Sequence, residues 1–236
     1  MSAGRGSGAG RRGLRALRAA RVWLAAALHL ALVAGSAGGA DLRAPGETPL
    51  ADVLQLLVLE REIVAIDGLA GTDLRHPLER GERVLFAEAR GRVAIALTDR
   101  RVLAVAVRSG SWQESRYRRG EPPPEGAFLG EQVALVVTTK RALGFDGGSG
   151  NLVEKSLGPR EQVIAADASG AVGVIVTDRR ALGVSPFAGG LFETKLRVEE
   201  TVEALAATGN LATVRTSRRL LTFQALTGAW VESPLR

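Results

Sequence analysis

The chain has 236 residues, of which 46% are apolar, and a formal net charge of +6 at pH 7. The apolar fraction excludes a disordered chain. The sequence contains no cysteine and two histidines, which excludes disulfide scaffolds, cysteine-ligated metal sites and a thiol nucleophile. We therefore predict no metal site and no cofactor.

Residues 1–40 differ in composition from the rest of the chain. They contain six arginines, no acidic residue, an apolar stretch over residues 22–33 and a run of small residues before Asp41. These features are typical of a secretory signal peptide, and the apolar stretch is short for a membrane span of about 20 residues. We predict an exported protein, periplasmic or extracellular, with a single-pass membrane anchor as the alternative.

The positive charge belongs to this leader. Without its six arginines, 25 of the 31 lysines and arginines remain, against 25 acidic residues that all lie within residues 41–236. That part of the chain is formally neutral. Because phosphate binding requires a surplus of lysine and arginine, we predict no nucleic-acid partner, and contact with a membrane only through residues 1–40.

Residues 41–236 consist of an internal repeat of about 39 residues. A degenerate copy comes first, and the five units cover residues 41–80, 81–119, 120–158, 159–197 and 198–236, so we predict one domain after the leader. Three columns of the alignment define the repeat: Thr98, Thr138, Thr177 and Thr216; Arg101, Arg141, Arg180 and Arg219; Leu103, Leu143, Leu182 and Leu221.

Each unit has the pattern of four short strands, a to d. In the fourth unit they are predicted at residues 162–168, 172–177, 181–184 and 191–196, with Gly, Ser, Pro or Asp between them. Strand b is apolar on both faces, which predicts burial between neighbouring sheets. Four-stranded units of this length predict an all-β fold, a five-bladed β-propeller whose blades would form a small ring.

The residues that carry a family resemblance are Gly91, Val93, Thr98 with Asp99, Leu103 and Trp112, together with residues 227–230. This pattern resembles the pyrroloquinoline-quinone-type propeller repeat, which occurs in quinoprotein dehydrogenases and in related non-enzymatic propellers of outer-membrane assembly. The chain departs from it where a basic residue replaces a turn glycine and where leucine replaces the tryptophan in two units. The resemblance implies the fold and no catalytic residue.

Strands b and c meet at one end of each unit, where two basic residues recur. Glutamates of the preceding loops are expected beside them. The pairs are Arg100-Arg101, Lys140-Arg141, Arg179-Arg180 and Arg218-Arg219, and the glutamates are Glu82, Glu121, Glu161 and Glu200. One interpretation is a charged face for a partner or an anionic ligand. We favour a structural role in which the second arginine joins blade to blade, because periodic residues usually serve the repeat.

The periodicity breaks in the third unit, where residues 121–125 read Glu-Pro-Pro-Pro-Glu, and proline cannot donate to a strand ladder. Beside this break lies the densest aromatic and basic cluster of residues 41–236. Tryptophan, tyrosine and arginine are favoured at protein interfaces, which predicts a contact patch of Trp112, Arg116, Tyr117, Arg118 and Arg119. The alternative is an irregular blade with a docking tryptophan. We expect the single histidine of this part, His76, at the surface.

No catalytic motif is present: there is no G-x-S-x-G, H-E-x-x-H, phosphate loop or calcium loop. The favoured hypothesis is an exported, non-enzymatic propeller that serves as a rigid interaction module for another envelope protein or a small ligand. The alternative is a carbohydrate-active or quinone-dependent propeller enzyme with its site over the central channel. Strand a offers Val84, Phe86 and Val163 there, which favours the module.

Overall fold

The computed structural model describes residues 53–107 and 109–235, which form nineteen β-strands and no helix. The predicted signal or anchor segment lies outside these residues. Within the described part of the chain, no helix has the length and apolarity needed to cross a membrane. The all-β prediction is confirmed for this part.

The strands form five antiparallel sheets in which neighbours along the chain are neighbours in the sheet. The first sheet has three strands, β1 (Leu54–Val58), β2 (Glu62–Asp67) and β3 (Thr72–Pro77). The second has β4 (Val84–Arg90), β5 (Val93–Thr98), β6 (Arg101–Ala106) and β7 (Gln113–Arg116), and the third has β8 (Phe128–Leu129), β9 (Val133–Val137), β10 (Arg141–Asp146) and β11 (Asn151–Ser156). The fourth has β12 (Val163–Ser169), β13 (Val172–Thr177), β14 (Arg180–Val184) and β15 (Leu191–Lys195), and the fifth has β16 (Val202–Thr208), β17 (Leu211–Thr216), β18 (Arg219–Gln224) and β19 (Ala229–Pro234).

The strands follow the repeat read from the sequence. In the fourth sheet, β12 to β15 agree with the four predicted strands to within one residue at each end. The third sheet departs from the pattern, since β8 has two residues where the equivalent β4 has seven. The proline run before it has no N–H groups to pair with β9, so the first strand starts late.

Each inner sheet packs on both faces, and we call the contact of two successive sheets a junction. The far face of a sheet meets the following sheet and the near face meets the preceding one. At the second junction, Ile95 and Leu97 pack against Leu143 and Phe145. The two inner strands β5 and β13 are buried at every residue, as expected for strands that are apolar on both sides.

A backbone hydrogen bond recurs at the junctions. The Arg92 N–H donates to the Glu131 carbonyl at 2.8 Å, and two later junctions repeat the bond at 2.9 and 2.8 Å. Close approach depends on glycine: a Cβ on Gly183 would lie 2.6 Å from the Phe223 ring. The junctions are therefore built from small residues, β-branched residues and one shared backbone bond.

The fifth sheet lacks an apolar far face. Where the inner sheets carry Val, Ile, Leu, Ala or Gly, it has Thr213, Arg215 and Thr222 among its far-face residues, and Leu211 there is 49% exposed. Arg215 forms an ion pair with Glu203 at 3.0 Å on the same sheet. This face resembles the polar outer face of a terminal repeat.

The first sheet carries charged residues on its near face, beside Leu57, Val64 and Ile66. Glu62 occupies the position of the repeated arginine, and Asp73 occupies that of the repeated tryptophan. Arg75 binds both carboxylates, at 2.9 and 2.8 Å, so the arginine–glutamate pair of the other sheets is present with reversed polarity. Among the described residues, no hydrogen bond or ion pair joins the first sheet to the fifth. The repeated antiparallel sheets are consistent with a propeller.

Candidate interaction surface

The repeated arginine occupies the same set of contacts in each of the last four sheets. The Arg101 Nε and Nη2 atoms donate to the two Glu82 carboxylate oxygens, both at 2.9 Å. Nη2 also donates to the Pro77 carbonyl at 3.0 Å, and Nη1 donates to Glu114. The guanidinium thus binds its own sheet, the loop before it and the last strand of the preceding sheet.

The other three arginines repeat this arrangement. Each binds one loop glutamate, one glutamate of the outer strand and one carbonyl of the preceding sheet. The sets are Arg141 with Glu121, Glu154 and the Arg116 carbonyl; Arg180 with Glu161, Glu193 and the Ser156 carbonyl; Arg219 with Glu200, Glu232 and the Lys195 carbonyl. We call these four sets the arginine networks.

The repeated threonine fixes the turn that presents each arginine. The Thr98 hydroxyl oxygen accepts the N–H groups of Arg100 and Arg101 at 3.0 and 2.9 Å. Thr138, Thr177 and Thr216 accept the equivalent pairs in the later sheets. A hydroxyl at this position satisfies turn donors that would otherwise lack a partner.

The loop glutamates are held in their ionised form. Burial of Glu82 favours the neutral acid, but hydrogen bonds from Arg101, from the Glu79 N–H and from Thr98 outweigh it and hold the pKa at about 2. The pKa of Glu200 is also about 2, because Arg219, the Arg197 N–H and Thr216 overcome its burial. The same balance lowers the pKa of Glu121 and of Glu161. These carboxylates stay charged near neutral pH, which suits a structural role better than acid–base chemistry.

The first basic residue of each pair lies at the edge of the sheets and reaches the neighbouring loop. Arg100 donates to the Arg80 carbonyl at 3.0 Å, Arg179 donates to the Pro159 carbonyl at 3.1 Å, and Lys140 donates to the Arg119 carbonyl. We call this edge the charged rim. It comprises residues 78–83, 99–100, 117–121, 139–140, 157–161, 178–179, 196–200 and 217–218.

The charged rim carries an excess of positive charge. It contains ten lysines and arginines and eight acids, of which four are the loop glutamates that the arginine networks neutralise. Arg118 and Arg197 pair in turn with Glu154 and Glu232 outside the rim, which leaves eight cations against four anions. Eight of the ten rim cations are exposed: Arg80, Arg83, Arg118, Arg119, Arg160, Arg179, Arg197 and Arg218.

The structure divides the predicted contact patch. Trp112 is half-buried at the first junction, where its Nε1 donates to the Leu74 carbonyl at 3.1 Å. Tyr117 packs against the core of the second junction, and its hydroxyl has no hydrogen-bond partner there. Burial raises the pKa of this phenol. Both aromatic side chains thus contact neighbouring sheets.

The three arginines of the patch differ in the same way. Arg116 binds Glu79, and Arg118 binds Glu154 at 2.6 Å and Ser156 at 3.0 Å. Arg119 is exposed, and its side chain has no ion pair among the described residues. Of the predicted contact patch, only Arg119 is free to bind a partner, and it belongs to the charged rim.

His76 lies deeper than expected. Its side chain is 18% exposed, and its ring centroid is 5.6 Å from that of Trp112. Burial lowers its pKa, and the charge of Arg101 acts in the same direction. The prediction of a surface histidine is wrong because this residue fills the first junction beside the docked indole.

Two further features bear on chemistry. Among the residues that the structure describes, no group of three or more His, Asp or Glu is placed to hold a metal ion. A cavity in the third and fourth sheets, lined by residues 122–124, Val137, Leu157 and Val163, was not predicted. The proline run was the signal for it, but the sequence alone did not show that the neighbouring strand would stay uncovered.

No family model and no curated protein matches the chain, so the pyrroloquinoline-quinone-type resemblance stays a prediction. Solved structures do match. Prp20p from Saccharomyces cerevisiae, whose report describes binding to Gsp1p and histones, is 10% identical with a TM-score of 0.39, over 73% of this chain and 55% of that one. A HIRA fragment is 12% identical with a TM-score of 0.38, over 67% and 57%.

PorZ, a bacterial surface component of the type-IX secretion system of Porphyromonas gingivalis, is 10% identical with a TM-score of 0.37, over 78% of this chain and 26% of that one. The chain spans little more than half of the Prp20p and HIRA structures. The matched structures include β-propeller repeat proteins. The class that the described sheets define is an all-β repeat protein consistent with that fold. At these scores the matches carry no inference about binding or activity.

Proposed function

We propose that this chain is an exported, non-enzymatic module of propeller type that binds another protein of the cell envelope through its charged rim. The observation that carries the proposal is the excess of eight cations over four anions on one edge of the protein, within residues 41–236 that are formally neutral as a whole. Such a surface complements an acidic patch on a partner and accelerates encounter with it.

Rigidity of the rim supports this function. Each loop closes on itself: the Glu82 N–H donates to the Glu79 carbonyl at 2.9 Å, and the Glu79 N–H donates to the Glu82 carboxylate at 2.8 Å. The other three loops repeat this pair of bonds. A surface that is already ordered loses less conformational entropy on binding than a flexible one.

The experiment is capture of partners from the envelope fraction by the chain and by two double variants. Arg119→Glu with Arg160→Glu reverses two rim cations, whereas Lys195→Glu with Arg215→Glu makes the same charge change outside the rim. We expect the rim variant to bind the captured protein at least about tenfold more weakly and the control to bind normally. Equal loss in both variants, or capture of nucleic acid alone, contradicts the proposal.

Export is proposed from residues 1–40, which lie outside the described residues. Mass spectrometry of the exported product should show an N-terminus near Asp41. A product that starts at Met1 and stays in the membrane fraction would favour the anchored alternative. In either case the charged rim would be presented outside the cytoplasm.

A further inference from the structure

The third sheet has an open edge that its neighbours lack. In the second and fourth sheets, the first strand begins two residues after the loop glutamate, at Val84 and Val163. In the third sheet Glu121 is followed by three prolines, and β8 starts only at Phe128. The stretch of β9 next to these prolines therefore has no strand beside it.

This edge leaves specific backbone groups unpaired. In the second sheet the Asp99 N–H donates to the Arg83 carbonyl at 3.0 Å, and two other sheets repeat this bond. The equivalent residue of the third sheet is Thr139. No backbone hydrogen bond in the described chain joins Val137 or Thr139 to residues 121–127.

The direction of these groups follows from strand geometry. The Thr138 N–H donates to the Arg141 carbonyl on the opposite side, at 3.0 Å. Because alternate residues of a strand direct their hydrogen-bonding groups to the same neighbour, the Val137 N–H and carbonyl and the Thr139 N–H face the open edge. Unpaired strand groups of this kind are a template for pairing with another chain.

A cavity of about 400 Å³ with a mainly apolar lining lies beside the open edge. Its apolar lining consists of residues 122–124, Val137, Leu157 and Val163, and the polar residues Thr138, Thr139, Glu161 and Gln162 complete it. The Glu161 carboxylate is already bound by Arg180 and by the Gly158 N–H. The cavity therefore offers apolar surface to a ligand, and it has room for one aliphatic side chain.

Three cations of the charged rim are close in sequence to residues that line this cavity. Lys140 follows the open edge directly, and Arg160 precedes Glu161. Arg119 lies two residues before the proline run. An occupant with carboxylates on either side of its apolar residue matches this distribution of charge, whereas a basic segment would be repelled.

We propose that the open edge of the third sheet binds an extended peptide segment of a partner protein in which acidic and apolar residues alternate. The segment adds a short strand along Val137–Thr139, its apolar side chain enters the cavity, and its carboxylates face Lys140 and Arg160. The inference rests on the proposed function, because the peptide segment belongs to the envelope protein that the module is proposed to bind.

The test uses the ¹⁵N-labelled full chain and a seven-residue peptide of alternating glutamate and valine. We expect the Val137 and Thr139 amide resonances to shift on titration and their hydrogen exchange to slow at least about tenfold. The same peptide with a methyl group on its central backbone nitrogen should bind at least about tenfold more weakly. Equal binding of both peptides, or shifts confined to other loops, would overturn the proposal.

Two variants separate backbone pairing from side-chain contact. Thr139 is the first residue of a two-residue turn and does not have a positive φ, and proline suits this turn position. Thr139→Pro removes the N–H and should weaken peptide binding at least about tenfold, whereas Thr139→Ala keeps the N–H and should not. A peptide that binds both variants equally tightly contradicts the pairing.

The same variants distinguish this inference from the proposed function. If envelope capture depends on Arg119 and Arg160 but is unaffected by Thr139→Pro, the rim binds its partner and the open edge does not. If the peptide binds at Val137 and Thr139 while the rim reversals leave capture unchanged, peptide binding at the open edge is supported and partner binding through the charged rim is refuted.

Discussion

Replacement of Arg219 by methionine tests whether the arginine networks hold the sheets together. The Arg219 Nε and Nη2 atoms lie 2.8 and 2.9 Å from the two Glu200 oxygens, and Nη2 donates to the Lys195 carbonyl at 2.8 Å. The Glu200 side chain is 0% exposed. Without the guanidinium, this carboxylate keeps only the Arg197 N–H and the Thr216 hydroxyl.

The size of the effect follows from the pKa of Glu200. A folded-state pKa of about 2, against an ordinary value of 4.5, corresponds to about 3 kcal/mol of stabilisation at neutral pH. Removing one member of a buried ion pair costs about 3–5 kcal/mol in other proteins. Since part of the depressed pKa comes from donors that remain, we expect Arg219→Met to lower the free energy of unfolding by about 3 kcal/mol at pH 7.

The pH dependence has a defined direction. A carboxyl group with a depressed pKa stabilises the fold fully above its unfolded value near 4.5 and loses this contribution as the pH falls toward 2. The difference between the wild type and Arg219→Met should therefore be constant from pH 7 to 5 and should narrow below 4.5. Urea unfolding at several pH values measures it.

Arg218→Met is the matched control. Arg218 is adjacent in sequence, its side chain is 47% exposed, and its nearest acid is Glu199 at 3.8 Å. A surface pair of this kind contributes about 0–1 kcal/mol. If both variants lose the same stability, or if the difference for Arg219 does not change with pH, the arginine networks do not stabilise the protein as described.

Three further predictions concern the sheets. Gly170→Ala places a methyl group on a carbonyl oxygen of the fifth sheet, whereas Gly71→Ala, at a similar positive φ, meets open space; urea unfolding should show an additional loss of about 1–3 kcal/mol for the first. Trp112→Phe removes the indole hydrogen bond and should cost about 1 kcal/mol; an unchanged melting temperature would argue against docking. Thr213→Ile with Arg215→Leu makes the far face of the fifth sheet apolar and should produce concentration-dependent dimers in sedimentation.

The fold was accessible from the sequence where a local pattern repeats. The bounds of strand b in the fourth unit, Val172–Thr177, could be predicted because its residues are apolar on both faces. The turn after it was predictable because the Thr177 hydroxyl can accept the N–H groups of the next residues. Both signals are short-range. The position of Arg180 beside Glu161 also followed from the up-and-down alternation of the strands. The turn between strands b and c and the loop before strand a must lie at the same edge of the sheet.

The functional surface was less accessible because its members depend on contacts between units. Trp112 and Tyr117 stand together in the sequence as a typical interface pair, yet one packs on the preceding sheet and the other on the following sheet. His76 is half-buried beside a tryptophan 36 positions later in the sequence. The spacing of residues within one unit does not predict contacts with residues of another unit, because the stacking of successive sheets determines those contacts.

The residues on the near face of the first sheet and on the far face of the fifth could be read from the sequence. Their meaning became clear only once the structure showed which faces form the junctions. Glu62 and Asp73 align with Arg101 and Trp112, and this alone suggests only a degenerate repeat. The structure shows that these positions lie on the near face, where the other sheets join. The first sheet therefore lacks the arginine and the tryptophan that bind the preceding sheet at the first junction.

The reversed pair of the first sheet, Glu62 with Arg75, distinguishes this sheet from the inner ones and bears on which repeat units could be deleted. The inner sheets share one pattern on both faces, so excision of residues 120–158 would bring the far face of the second sheet onto the near face of the fourth, and the Arg116 carbonyl would replace that of Ser156 as the acceptor for Arg180. The same excision in the first or fifth unit would expose an apolar face. We therefore expect a chain that lacks residues 120–158 to stay more soluble than one that lacks the first or the fifth unit.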